Sequence, residues 1–170
     1  FMLSTSTGGA LTGEGGDVII IDDPQNPLMA NSETEREASV NFFKNTLQTR
    51  LNNPRTGAFI IIMQRLHEKD LTGHILSEDL GYEHLCLPAI AESRTVVVFP
   101  VSKKEIVREP GDILNEGRFD QEVLDGLKKS MGSIQFAGQM QQSPAPAEGI
   151  IFKREWLHEF YSVPPRTTDI

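Results

Sequence analysis

The feature that most constrains this fold is an uninterrupted β-branched run, Val18–Ile21, that ends in two adjacent carboxylates, Asp22 and Asp23. Strands with one solvated face usually alternate apolar and polar residues, whereas strands of a parallel sheet are apolar throughout. The run therefore predicts a parallel strand that is buried on both faces. A loop with five glycines in residues 8–16 precedes it.

A long amphipathic helix and a second apolar run follow this strand. Ser32 begins a capping-box pattern, and apolar residues at helical spacing predict one helix over residues 33–51. Ala58–Met63 then predicts a second buried strand, which ends at Gln64. Consecutive strand, helix and strand form a βαβ unit by default, so the sequence predicts an α/β fold with a mostly parallel sheet.

The rest of the chain predicts shorter helices and strands, and after about residue 100 the sequence becomes more charged and richer in turns. In chain order we expect a helix capped by Asp70 and extending to about residue 79, strands at 83–87 and 95–101, a charged and turn-rich segment at 103–117, helices at 120–131 and 133–142, and a linker at 143–149. We therefore expect a partial α/β domain followed by a small helical and linker segment.

Composition narrows the possible functions. The 170 residues suit about one domain, and 24 acidic against 16 basic residues give a net charge of −8. That balance disfavours a module that binds nucleic acid through a broad basic face, but it is compatible with a motor subunit that makes few DNA contacts. The single cysteine, Cys86, excludes an internal disulfide and favours a reducing, cytoplasmic location. No apolar run approaches the roughly 18 residues of a membrane span.

The two ends of the chain carry no start or stop features. The sequence begins at Phe1 without a charged segment or a long apolar run, and it ends at Ile170 without a terminating signal. We therefore expect this chain to be a piece of a longer protein.

The paired acids after the first strand are the strongest chemical signal. Ligands of open α/β sheets bind beyond the carboxyl ends of the strands, where Asp22 and Asp23 are expected. In a P-loop NTPase the first such acid, called Walker B, holds Mg²⁺ and the second orients the attacking water. Gln64, at the end of the second strand, can place an amide near the γ-phosphate. The alternatives are an Asp pair that caps a turn and a simple turn amide.

Three other kinds of site fit the residues less well. A phosphoacceptor receiver domain needs a third Asp at the end of a later strand, where Gln64 stands instead. A zinc-protease motif starting at His67 fails because Leu71 occupies the position of the second histidine. A phosphate-binding G-x-x-x-x-G-K-[ST] loop is absent from the 170 residues, since no lysine follows a glycine. An ATPase would therefore need that loop from sequence upstream.

The order of these motifs is similar to a known family. The large subunit of tailed-bacteriophage terminases resembles this chain in three stretches, namely Gly8–Asp17 with Val18–Pro24, Gly57–Met63 with Gln64–Gly73, and Gln139–Pro144. That family joins a DNA-packaging ATPase to an RNase H-like nuclease. The resemblance divides the chain into residues 1–100, the C-terminal half of the ATPase domain, residues 101–149, a helical subdomain and linker, and residues 150–170, the start of the segment that leads to the nuclease.

The resemblance also implies roles for individual residues. Asp22 would be the Walker B acid on the Mg²⁺–ATP complex, Asp23 the catalytic carboxylate, and Gln64 part of the coupling motif that links hydrolysis to domain motion. Two departures stand out. Many relatives have Glu at the position of Asp23, and many carry an arginine, which can act as an arginine finger, at the position of Glu14. The nuclease acids of the family would lie beyond residue 170.

Two functions follow as hypotheses. In the first, the intact protein hydrolyses ATP to drive double-stranded DNA into a procapsid and cleaves concatemeric DNA. Its expected partners are the portal protein, the small terminase subunit and further copies in a ring, in the host cytoplasm and away from membranes. In the second, the chain is an inactive prophage remnant that acts at most as a protein-interaction module. The missing phosphate loop and Glu14 motivate that alternative.

Overall fold

A computed structural model describes residues 2–6, 9 and 13–144. This part of the chain is a mixed α/β fold with two small sheets and four α-helices. In chain order the elements are β1 (Val18–Asp22), α1 (Glu33–Asn45), β2 (Ala58–Ile62), α2 (Leu71–Ser77), β3 (Thr95–Val98), β4 (Glu105–Arg108), α3 (Gln121–Met131) and α4 (Ser133–Gln139). The predicted linker beyond residue 144 and the segment 150–170 lie outside the described residues.

The first sheet is the parallel pair that the sequence predicts. Val18 lies opposite Ala58 and Asp22 lies opposite Ile62, so β1 and β2 end at the same level. The connection between them contains α1, as expected for parallel strands, which cannot be joined by a tight hairpin. The strand–helix–strand prediction is confirmed.

Helices α1 and α2 both pack on the same face of the β1–β2 sheet. Their contacts with the sheet form the buried core, which consists of Ile21, Phe43, Leu47, Leu71 and Ile75. Phe43, from α1, lies at its centre and meets the rings of Phe59 and Tyr82 edge-on, with centroid distances of 6.0 and 6.3 Å. Such edge-to-face pairs contribute beyond the area they bury.

The opposite face of the sheet is apolar and exposed. Val18 and Ile20 are 54% and 61% exposed, and Ile60 and Ile62 are 44% and 55% exposed. The prediction that the first strand is buried on both faces is therefore wrong for the described part of the chain, because α1 and α2 lie on the same face. Parallel sheets are almost always covered on both faces, so a solvent-exposed apolar face is unusual for such a sheet.

We expect this apolar face to make residues 1–170 aggregate when they are expressed alone. Replacing both Ile20 and Ile60 with threonine keeps the β-branched shape and removes exposed apolar area, so light scattering on concentration should fall while the thermal midpoint stays within a few degrees. Ile21→Thr is the control, because Ile21 is only 8% exposed and faces the core. That variant should lose stability without gaining solubility. Unchanged scattering in the double variant would show that another surface drives association.

The predicted helix over 33–51 is shorter than expected. Ser32 caps it as predicted, with its Oγ accepting a hydrogen bond from the Glu35 N–H at 3.4 Å. The α-helix ends at Asn45, and a single 3₁₀ turn follows at Leu47–Thr49. The chain must then become extended, because residues 50–52 pair with Gly16 through two backbone hydrogen bonds of 3.0 and 2.9 Å.

The strand prediction for residues 83–87 is wrong. This segment has no regular structure, its apolar residues Leu85 and Leu87 are exposed, and it pairs with neither sheet. The second sheet instead pairs β3 with β4 in antiparallel fashion, with Thr95 opposite Arg108. β4 was not predicted because both of its ends are charged. Glu105 is exposed, whereas Arg108 is buried and donates to the Asp112 carbonyl at 2.9 Å.

The two C-terminal helices are close to their predicted ranges. Asp120 caps α3, with its Oδ1 accepting a hydrogen bond from the Val123 N–H at 2.9 Å. Gly132 separates α3 from α4 with φ of +84°, a conformation in which a side chain is strained. The second helix ends at Gln139 instead of residue 142.

Candidate functional site

The carboxyl end of the parallel sheet brings two of the predicted site residues into contact. The Asp23 N–H donates to the Ile62 carbonyl at 2.8 Å, which extends the strand pairing by one step. The Asp23 side chain then accepts a hydrogen bond from the Gln64 N–H at 3.2 Å through Oδ1. Asp23 has φ of +41°, a left-handed conformation that Asp and Asn adopt more readily than most residues.

Asp22 lies at the same sheet edge as the last residue of β1. Its side chain and that of Asp23 are both exposed, so both carboxylates are accessible to a ligand. The described part of the chain has no cluster of three or more His, Cys, Asp or Glu that could hold a metal ion. Mg²⁺ usually keeps several waters and takes only one or two protein carboxylates beside substrate phosphates. The two acids fit that partial role and no larger one.

A cleft of about 360 Å³ opens beside Asp23 and Gln64. Its lining combines polar side chains with two proline rings and one leucine, and comprises Asp23, Pro24, Gln25, Asn26, Pro27, Gln64 and Leu66. Asn26 is fixed by its own turn, because its Oδ1 accepts the Leu28 N–H at 2.9 Å. The cleft therefore places a carboxylate and amides together at the end of a parallel sheet.

The loop that carries Gln64 is held by a fully buried carboxylate. Asp70 is 0% exposed and forms an ion pair with Arg65, whose Nε lies within hydrogen-bond distance of both carboxylate oxygens, at 3.0 Å from Oδ1 and 2.9 Å from Oδ2. The same carboxylate accepts hydrogen bonds from the N–H groups of Leu66, His67 and Gly73, at 3.1, 3.4 and 2.7 Å. Asp70 thus caps α2, as predicted, and also fixes the loop between β2 and α2.

Arg65 therefore stabilises its own loop. The ion pair with Asp70 lies within the loop between β2 and α2. Gly73, in the first turn of α2, packs directly against this loop, because a Cβ at this position would overlap the Glu68 carbonyl. The β2–α2 loop is thus closely packed against the first turn of α2.

His67 lies in this loop as a buried neutral base. Its Nδ1 accepts a hydrogen bond from the Lys69 N–H at 3.0 Å. Burial lowers the pKa of His67 below its ordinary value, and the positive charge of Arg36 lowers it further. The imidazole is therefore uncharged at neutral pH and serves the loop structure.

The sequence did not predict the roles of four residues that shape this site. Asp70 was predicted only as a helix cap, and Arg65, Gln141 and Gln142 were only parts of longer motifs. An acid five residues after an arginine at a strand end is a weak local signal for a buried pair. No local signal identifies the two glutamines, because their partners are far away in sequence.

Comparisons with known protein families, with curated proteins and with solved structures give no match for this chain. The fold itself defines the class, a mixed α/β protein with a parallel strand pair and paired acids at its carboxyl end. Within the described residues, no helix is both long enough and apolar enough to span a membrane.

Proposed function

We propose that this chain is the C-terminal half of the ATPase domain of a terminase-like DNA-packaging motor, with a P-loop NTPase-type sheet. The observation that carries the proposal is the contact between Asp23 and Gln64, which lie side by side at the ends of two parallel strands beside an open cleft. Phosphoryl transfer to water uses an acid that helps to hold Mg²⁺ and a residue that orients the attacking water, and Asp22 and Asp23 could take these roles.

Each residue has a distinct part in this proposal. Bound ATP would supply the reactive phosphoanhydride, and Mg²⁺ would neutralise part of its negative charge. Asp22 would hold the ion through its water shell, as an exposed carboxylate at the end of β1. Asp23 orients the attacking water and accepts its proton, and its hydrogen bond from the Gln64 N–H leaves the second carboxylate oxygen for that work.

Gln64 links the reaction to the rest of the domain. Its backbone is bonded to Asp23, and the next residue, Arg65, is fixed by the buried Asp70. A change at Asp23 during hydrolysis therefore reaches a rigid loop directly. In the intact motor this movement would act on double-stranded DNA, with the portal protein, the small terminase subunit and neighbouring copies of the ring as partners in the host cytoplasm.

The proposal requires a phosphate-binding loop from sequence that precedes Phe1. It also requires an arginine finger from elsewhere, because the glycine-rich loop carries Glu14 and a carboxylate cannot neutralise phosphate charge.

ATP hydrolysis by the longer polypeptide tests this function. We expect the chain joined to its upstream coding sequence to hydrolyse Mg–ATP, with stimulation by double-stranded DNA, while residues 1–170 alone bind Mg–ATP negligibly in calorimetry. Micromolar ATP affinity of the 170-residue chain would contradict the half-domain proposal. A longer polypeptide that folds but hydrolyses nothing would favour the inactive remnant.

A further inference from the structure

Two consecutive glutamines join parts of the chain that are distant in sequence. The Oε1 of Gln142 accepts a hydrogen bond from the Arg65 N–H at 3.2 Å, and its Nε2 donates to the Gln139 carbonyl at 2.7 Å. The amide of Gln141 pairs with the backbone of Ile90 on both sides, accepting from its N–H at 2.9 Å and donating to its carbonyl at 3.0 Å. Both side chains are half-buried.

The backbone of Gln142 has an unusual conformation at this contact. Gln142 has φ of +57°, a left-handed conformation that is strained for a residue with a Cβ. Such strain persists only where the surroundings fix it. The Gln142 side-chain amide is held at both its oxygen and its nitrogen, by the Arg65 N–H and the Gln139 carbonyl. Helix α4 packs beside it so closely that a Cβ on Gly138 would lie 2.7 Å from the Arg65 carbonyl oxygen.

The Arg65 peptide is therefore held between α4 and the Gln142 side chain. The preceding amide, that of Gln64, is held by Asp23. Two successive N–H groups just after β2 thus have different partners, one in the candidate catalytic site and one just after α4. A shift of this strand end cannot occur without a change in one of these two bonds.

We infer that Gln142 is a positioning residue that sets the place of Gln64 relative to Asp23 and ties it to α4. Gln141 binds the backbone of Ile90, while Gln142 binds that of Arg65. The two glutamines therefore make α4, the β2–α2 loop and residues 89–91 move together. The inference deepens the proposed function and rests on it for the effect on hydrolysis. The contact itself is independent of nucleotide.

Gln142→Gly isolates the side chain, because glycine adopts the left-handed conformation without strain. In the longer polypeptide we expect the Arg65 amide to exchange its hydrogen about fivefold faster, as loss of about one hydrogen bond implies. The kcat for ATP should fall about tenfold while KM stays within twofold, since the loss concerns alignment and not binding. Gln142→Ala removes the same amide but keeps a Cβ on the left-handed backbone, so it should show the same faster exchange at Arg65.

Ser143→Ala is the matched control, because Ser143 is exposed and its N–H bond to the Ala137 carbonyl is unaffected by the change. Unchanged Arg65 exchange in Gln142→Gly would overturn the contact, and faster exchange with unaltered kcat would overturn the positioning role. If Gln142→Gly unfolds, the Gln142→Ala variant decides, since unchanged Arg65 exchange in it would equally overturn the contact. A wild-type polypeptide without ATPase activity would instead refute the proposed function, and with it the effect on hydrolysis, while the exchange measurement still reports on the contact.

Discussion

Replacing Asp70 with alanine should lower the free energy of unfolding by about 3–5 kcal/mol, as expected when one partner of a buried ion pair is removed. The change would strand the Arg65 guanidinium, whose side chain is only 13% exposed, and would leave three backbone N–H groups without their acceptor. Urea denaturation followed by circular dichroism measures the loss.

Asp120→Ala is the matched control for this prediction. Asp120 also caps a helix through a single hydrogen bond, to the Val123 N–H at 2.9 Å, but it is exposed and has no ion pair among the described residues. Its loss should cost about 1 kcal/mol, the usual value of a helix cap. Equal losses in the two variants would mean that Asp70 acts only as a cap and that the loop does not depend on it.

The second large effect concerns hydrolysis. In the longer polypeptide, Asp23→Ala and Asp23→Asn should each lower the kcat for ATP by about 10²–10⁴-fold, the range that general bases contribute. Asparagine keeps an oxygen that accepts the Gln64 N–H and tolerates the left-handed backbone, so it removes the charge and the proton acceptor alone. Comparing the two variants separates proton transfer from the structural contact.

Asp17→Asn serves as the control for charge, because Asp17 lies just before β1, at the opposite end of the strand. Its Oδ1 accepts a hydrogen bond from the Asn52 side chain at 3.2 Å, far from the cleft. We expect this variant to retain the wild-type kcat. Wild-type turnover in Asp23→Asn would show that another group activates the water.

The local patterns of the sequence were sufficient for the parallel pair and its edge. Two apolar runs with a capped helix between them predict β1 and β2, and the rule that ligands meet the carboxyl ends of strands predicts that Asp23 and Gln64 lie together. The structure places them in direct contact, at 3.2 Å. The left-handed backbone at Asp23, which turns the chain toward that contact, has no signature in the sequence.

Features that depend on distant partners were not predictable. An apolar run has the same composition whether one face or both are covered, so the exposure of Ile20 follows only from where α1 and α2 pack. Gln142 lies 77 positions from Arg65, and a glutamine in a turn looks the same with or without such a partner. The wrong strand at residues 83–87 has the same origin, because a short segment forms a strand only where it pairs with another strand, and this one pairs with neither sheet.

The register of the parallel strands has a consequence for which insertions the chain can tolerate. Asp22 and Ile62 are paired, so Asp23 and Gln64 meet only if β1 and β2 keep their lengths from the ladder to the sheet edge. A two-residue insertion within β2 would carry Gln64 about 6–7 Å past Asp23. A one-residue insertion would move the side chains that follow it in β2 to the opposite face of the sheet. Extra residues in the turn at 52–57 change neither the length nor the pairing of the two strands. Length variation among natural variants should therefore concentrate in that turn and spare both strands.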